Sequence, residues 1–204
     1  MDESIERLLE YWFGAELDSP AALDRQFARW FVADDAIDAE IASRFGTDAE
    51  RAARGELAHF RETAKGRLAL ILLLDQVPRH LHRGTAAAFA QDSVALGLTV
   101  EGIENGMDLE LPVLQRAFFY MPLQHAESRK VQAKSVEIFQ RLAKAVSPTY
   151  RETFETVAHF AELHRDIIEQ FGRFPHRNKV LGRKNTPEED EYLSGESPNF
   201  GQGG

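Results

Sequence analysis

The most constraining stretch of the sequence is Leu68-Ala-Leu-Ile-Leu-Leu-Leu74, seven apolar residues ended by Asp75 and followed by Gln76-Val77-Pro78. Apolar on every side, it belongs in the middle of the molecule with neighbours all round. A buried strand is the rival reading for so short a run. Leu and Ala dominate, only Ile71 is β-branched, and helical patterns lie on both sides, so the run is read as a central helix. Pro78 has no N–H to give Leu74 and its ring clashes with that carbonyl, which predicts a kink or an end there. The run is far shorter than the roughly 20 apolar residues that span a bilayer.

The rest of the chain keeps helical period. Ile5, Leu8, Leu9 and Trp12 form one stripe, with Gly14 as a stop. Ser19-Pro20 reads as an N-cap and first helical residue for a helix carrying Leu23, Phe27, Trp30 and Phe31. Asp34 or Asp35 caps the next, which holds Ile37, Ile41 and Phe45 and is expected to stop at Gly46. A helix from Thr85 to about Asn105 and a short one over 112–120, ending at Met121-Pro122, come next. Glu127–Ala145 follows with Val131, Ser135, Ile138, Phe139 and Leu142 inward. The clearest helix repeats Tyr150, Phe154, Val157, Ala161, His164, Ile168 and Phe171 before Gly172, and Thr186-Pro-Glu-Glu189 is a capping box opening a last short helix.

The expected architecture is all-α, about nine antiparallel helices in one domain over 1–193, with 194–204 as a tail of four glycines and no aliphatic side chain. Without cysteine, disulfides, thiolate metal sites and cysteine nucleophiles are excluded. The N-terminus lacks the basic and continuously apolar character of a signal peptide, so the cytoplasm is expected. A net charge of −9 disfavours general binding to nucleic acid or anionic membrane. No metal site is expected: His159 and His164, five apart on a helix, diverge by about 140°. No Walker loop, GxGxxG, GxSxG or EF-hand pattern occurs, and no cofactor is expected.

Against the acidic background stands a basic island, Phe171-Gly-Arg-Phe-Pro-His-Arg-Asn-Lys-Val-Leu-Gly-Arg183. Gln170–Pro187 contains no Asp or Glu but holds Arg173, Arg177, Lys179, Arg183, Lys184 and His176. Arginine forks there can grip a carboxylate or phosphate bidentately, with Asn178 and His176 as neutral donors. The bland alternative is a loop whose arginines pair with acidic neighbours such as Glu188–Glu191 and with helix-end carbonyls. Asp75 reads either as a structural partner of Arg79 or as a carboxylate at the floor of a pocket. His164 reads as a core histidine or a base. His125, placed near the start of the long helix, reads as a cap or an anion ligand.

Five blocks occur in order: Leu72-Leu-Leu-Asp-Gln-Val-Pro-Arg79, Arg83-Gly-Thr85 with Ala88-Phe89, Met121-Pro-Leu-Gln-His125, Phe171-Gly-Arg-Phe-Pro-His-Arg-Asn178 and Leu181-Gly-Arg183. Across most of the chain they resemble the bacterial domain of unknown function 924 family. The sequence departs from that pattern at Val77, His80, Gln124 and Asn185. The resemblance implies an all-α fold similar to tetratricopeptide-like arrays and no particular activity. It matches at Asp75, Gln76, Arg79, His125, Arg173, His176, Arg177, Asn178 and Arg183.

The leading expectation is a small anionic ligand, phosphorylated or carboxylated, held by Arg79, Arg173, Arg177 and Arg183 and oriented by His125, His176 and Asn178. A second is a hydrolase or lyase whose base, His164 or His176, is held by Asp75. A third is a helical scaffold whose groove takes a peptide partner on exposed aromatics such as Phe174 or Tyr192.

Overall fold

The structure, a computed structural model, describes residues 2–14, 20–195 and 200. The expected cap at Ser19, and the expected tail apart from Ser194, Gly195 and Phe200, lie outside the described residues. Within them the fold is all-α, without strands. The helices are α1 (Glu3–Phe13), α2 (Pro20–Phe31), α3 (Asp35–Ala53), α4 (Ala64–Ile71), α5 (Val77–Leu81), α6 (Asp92–Glu104), α7 (Val113–His125), α8 (Arg129–Ala145), α9 (Arg151–Phe171) and α10 (Pro187–Ser194). Short 3₁₀ turns over Ala58–Glu62, Ala86–Phe89 and Pro175–Arg177 link them. No described helix is long and apolar enough to cross a membrane.

The apolar run forms the axis of the molecule, as expected. Leu68, Ile71 and Leu72 are fully buried. Helices α1, α3, α6 and α7 pack around the rod made by α4 and α5, while α8 and α9 pair most extensively with each other. Each buried side chain of the rod contributes about 1.5–3 kcal/mol relative to exposure.

Pro78 does not end the helix. The chain widens into a π turn over Leu72–Gln76, with the Val77 N–H bonded to Leu72 O, and then resumes as α5. One extra residue in the turn makes room for the pyrrolidine ring without stopping the rod. The same turn carries Asp75 and Gln76, both buried.

Three other boundaries differ from expectation. Helix α3 runs through Gly46 to Ala53, because Gly46 packs openly, with Leu81 the nearest side chain, and the left-handed stop falls at Gly55. Helix α7 continues past Met121 and contains Pro122. The segment from Thr85 opens as a 3₁₀ turn, and α6 proper begins at Asp92. Elsewhere the caps follow the reading: Asp34 Oδ1 accepts from the Ala36 and Ile37 amides, and Gly14 and Gly172 take positive φ at helix ends.

The rod enters the core through a close approach at Gly66. A Cβ there would lie 2.2 Å from the Phe60 carbonyl oxygen, which is backbone and cannot swing aside. Gly66→Ala is expected to destabilise the protein by about 1–3 kcal/mol, the cost of overpacking, although the same change in an open helix stabilises by about 1 kcal/mol. Urea unfolding measures the sign; a stabilised variant would contradict this packing.

Candidate functional site

A cleft of about 570 Å³ opens beside the π turn. One wall is aromatic and apolar: Phe27, Trp30, Phe31 and Val32 at the end of α2, with Phe160 on α9. The opposite wall is polar, formed by Gln76, Arg79 and His80 of the central rod, Gln124 and His125 of α7, His164 of α9, and His176 and Arg177 of the loop after α9. Phe200 also lines the cleft and stacks on His164 at 3.8 Å.

The polar wall is a closed circuit of charges. The buried carboxylate of Asp75 accepts from Gln76, from His125 Nδ1 at 2.7 Å, and pairs with Arg79 at 3.3 Å. Arg79 also donates to the Asp75 carbonyl and reaches Asp92 at 3.1 Å. Asp92 in turn accepts from Arg177 Nη1 at 3.1 Å, and Arg177 Nη1 donates to the His125 carbonyl at 3.2 Å. The guanidinium of Arg177 lies between two rings, 4.5 Å from the Phe89 centroid and 4.4 Å from that of Phe174. Its Nε–H is buried with no hydrogen-bond acceptor among the described residues. A second carboxylate, Asp38, holds His80 and Arg83 at 2.8 Å each.

Burial pushes the Asp75 carboxyl upward, but the charge of Arg79, with the hydrogen bonds from His125 and Gln76, outweighs it and holds it well below the usual carboxylate range. Burial, with the charge of Arg79, lowers His125. Burial also takes His164 well below its ordinary value, and takes His176 to about 3 with help from Arg177. Arg177 itself is brought down to about 10 by burial. All three shifts favour the neutral ring over the imidazolium. The neutral tautomers of two are set by their partners: His125 must carry its proton on Nδ1 to donate to Asp75, and His164 on Nδ1 to donate to Phe160 O at 2.7 Å. In each ring Nε2 is then a lone-pair acceptor on the edge left for the cleft.

The expected site residues divide into two groups. Asp75, Arg79, His125, His164, His176 and Arg177 come together at the cleft. Arg173, Asn178 and Arg183 do not line it. Arg173 makes a fork onto Glu189 at 2.6 and 2.7 Å, and buried Asn178 donates to Glu189 and Asn185. Arg183 forks onto Glu127 and reaches Phe174 O. These three lock α10 and the loop to the body, which is the bland reading of the island, with Glu189 and Glu127 as the acids.

Three further expectations are corrected. His125 sits at the last residue of α7, not at the start of α8, so no helix N-terminus favours an anion there. Its place is fixed by Gln132, whose amide caps the Gln124 and Ala126 carbonyls at 2.6 and 2.9 Å. Neither His164 nor His176 is bonded to Asp75; His125 is. Phe174, expected on an exposed groove, is fully buried against His164 and Arg177.

Sequence reasoning missed Asp92, the carboxylate that joins the two arginines, because an acid in the first turn of a helix is ordinary capping chemistry. It also missed the apolar wall. Phe27, Trp30 and Phe31 read as a core stripe; Trp30 is in the core and Phe27 packs against it, but Phe31 is 42% exposed and Phe160, off its stripe, 43%. A large exposed ring beside a core stripe was the available signal.

Fold and cleft together define an all-helical protein with a mixed aromatic and charged pocket beside a π turn. The chain belongs to the family described as bacterial protein of unknown function (DUF924), which it matches over residues 8–197. It is similar to the solved structure of a protein of unknown function, ATU0120 from Agrobacterium tumefaciens. The two are 39% identical, the likeness covers 93% of this chain and 96% of that one, and the TM-score is 0.77. None of the curated proteins matches it.

The lock on α10 gives a pH test. Its hydrogen bonds with Arg173 bring Glu189 to about 2, below its ordinary 4.5. A depressed carboxylate stabilises the fold above its unfolded value and loses that contribution as pH falls from 4.5 towards 2. Thermal midpoints measured between pH 6 and pH 2 should therefore fall less steeply for Glu189→Gln than for the wild type. Parallel curves would show that the fork adds nothing to stability.

Proposed function

We propose that the cleft binds a small molecule with an apolar, ring-sized body and an anionic carboxylate or phosphate head. The observation that supports this reading is the joining, in one cavity of about 570 Å³, of an aromatic wall to the convergent guanidiniums of Arg79 and Arg177. The volume is that of pockets that take metabolite-sized ligands. The aromatic wall offers burial for the body. The head would meet the guanidiniums of Arg79 and Arg177, both of which line the cleft.

The arginines facing the cleft already have carboxylate partners in Asp75, Asp92 and Asp38. Charge alone therefore gives little affinity for a bare anion, and the apolar body carries much of the binding. This separates the proposed ligand from simple phosphate. His125 and His176 orient the head from either side of Arg177. The Arg173, Asn178 and Arg183 contacts hold the loop that presents Arg177.

Thermal-shift titration with 2-naphthoate and with inorganic phosphate tests the reading. Naphthoate is expected to stabilise the protein, by about 2.7 kcal/mol at 100 times its dissociation constant, and phosphate to do so far less. Arg177→Lys, which loses the fork and the stacking between Phe89 and Phe174, should weaken naphthoate about tenfold or more. Equal stabilisation by both probes, or unchanged affinity in a folded Arg177→Lys protein, would contradict it.

A further inference from the structure

We propose that His125 is a general base: Asp75 holds its Nδ1–H, which turns the Nε2 lone pair towards the cleft to take a proton from the bound ligand. The inference rests on the ligand-cleft reading above and adds an activity to it. The ligand class it implies is a ring-bearing compound with a proton made acidic by an electron-withdrawing neighbour, whose loss places negative charge on an oxygen.

Geometry selects His125 among the histidines of the cleft: His80 also has a carboxylate, Asp38, at 2.8 Å from Nδ1, but its side chain is only 4% exposed against 14% for His125. A base that becomes an imidazolium in a buried site needs a counter-charge already in place. For His125 that charge is Asp75, 2.7 Å from Nδ1 and itself fully buried. His125 also ends α7, and a helix C-terminus favours a cation. His164 has only the Phe160 carbonyl as partner, and Phe200 covers its face at 3.8 Å. His176 has a buried Nδ1 with no hydrogen-bond partner among the described residues.

The surroundings of His125 suit a base at neutral pH. Arg79 from α5, Asp75 from the π turn, Asp92 from α6, His164 from α9 and Arg177 from the loop face it. Burial and Arg79 keep the ring neutral and ready to accept, while Asp75 keeps it from being driven too far down. Arg177, bonded to the His125 carbonyl, lines the cleft beside it, and its positive charge would face an oxyanion formed there. Among the described lining residues there is no Ser, Thr, Cys, Lys or Tyr, so proton transfer is the chemistry these side chains offer directly.

The probe is 5-nitrobenzisoxazole, an aromatic compound that a base opens in one step. Nε2 takes the C3 proton, the C–H electron pair becomes the third bond of a nitrile, the N–O bond breaks, and its pair remains on the phenolate oxygen. The imidazolium then returns its proton to water. Binding is followed separately by thermal shift with 5-nitrobenzotriazole, which has the same shape and does not react.

The expected result is saturable opening about 100-fold or more faster than in buffer, lost in His125→Gln, which still binds the triazole. The exposed control His159→Gln should match the wild type. Asp75→Asn tests positioning: it should slow the reaction at least about tenfold and move the apparent pKa of the rate profile downward, a shift that simple loosening of the fold would not produce. Should that variant not fold, the His125→Gln comparison and the wild-type pH profile decide alone. Binding of the triazole without acceleration, or an undiminished rate in His125→Gln, overturns the base and leaves the ligand cleft standing. Failure of the triazole to bind overturns the base as proposed, and failure of 2-naphthoate as well overturns the cleft reading with it.

Discussion

A single carboxylate, that of Asp75, is the contact on which the site depends. It is fully buried on the central rod, at the turn where Pro78 forces the helix to widen. An unpaired charge there would cost several kcal/mol. Gln76, Arg79 and His125 meet it, and each is thereby fixed in place. The apolar run that drives folding and the acid that organises the cleft are consecutive in the chain, so burial of one carries the other into the interior.

From Asp75 the order spreads through Arg79 and Asp92 to Arg177, and back to the backbone of His125. The circuit ties together the central rod, α6, α7 and the loop after α9, which are far apart in sequence. Its charges balance, and neutral histidines fill the gaps. Under the proposed reading a site of this kind would select by shape and by hydrogen-bond direction more than by net charge, the aromatic wall counting as much as the arginines. The outer arginines, paired with Glu127 and Glu189, hold the loop after α9.

Much of the fold was legible because the chain signals it locally. Leu68–Leu74, the capping box at Thr186 and Glu189, and the alternation from Tyr150 to Phe171 each follow from helix geometry and appear where expected. The fate of Pro122 and Gly46 was not legible, since tertiary packing carries both through helices that propensity alone would end. The site was legible by composition but not by partner. Basic residues at 173–183 were visible, yet which of them faced the cleft depended on Asp92 and Glu189, whose roles arise only when distant helices meet. His125 was legible as a site residue but not its place: it ends α7 rather than opening α8, because Pro122 is carried inside α7.

The most direct test of this account is the protonation state of one ring. Long-range ¹H–¹⁵N NMR of the histidine side chains, with His125 assigned by comparison with His125→Gln, reports which nitrogen carries hydrogen at neutral pH. The account predicts a neutral His125 with Nδ1 protonated and Nε2 bearing the lone pair. A ring protonated on Nε2 alone, or on both nitrogens, would contradict the central claim that Asp75 aims an acceptor into the cleft.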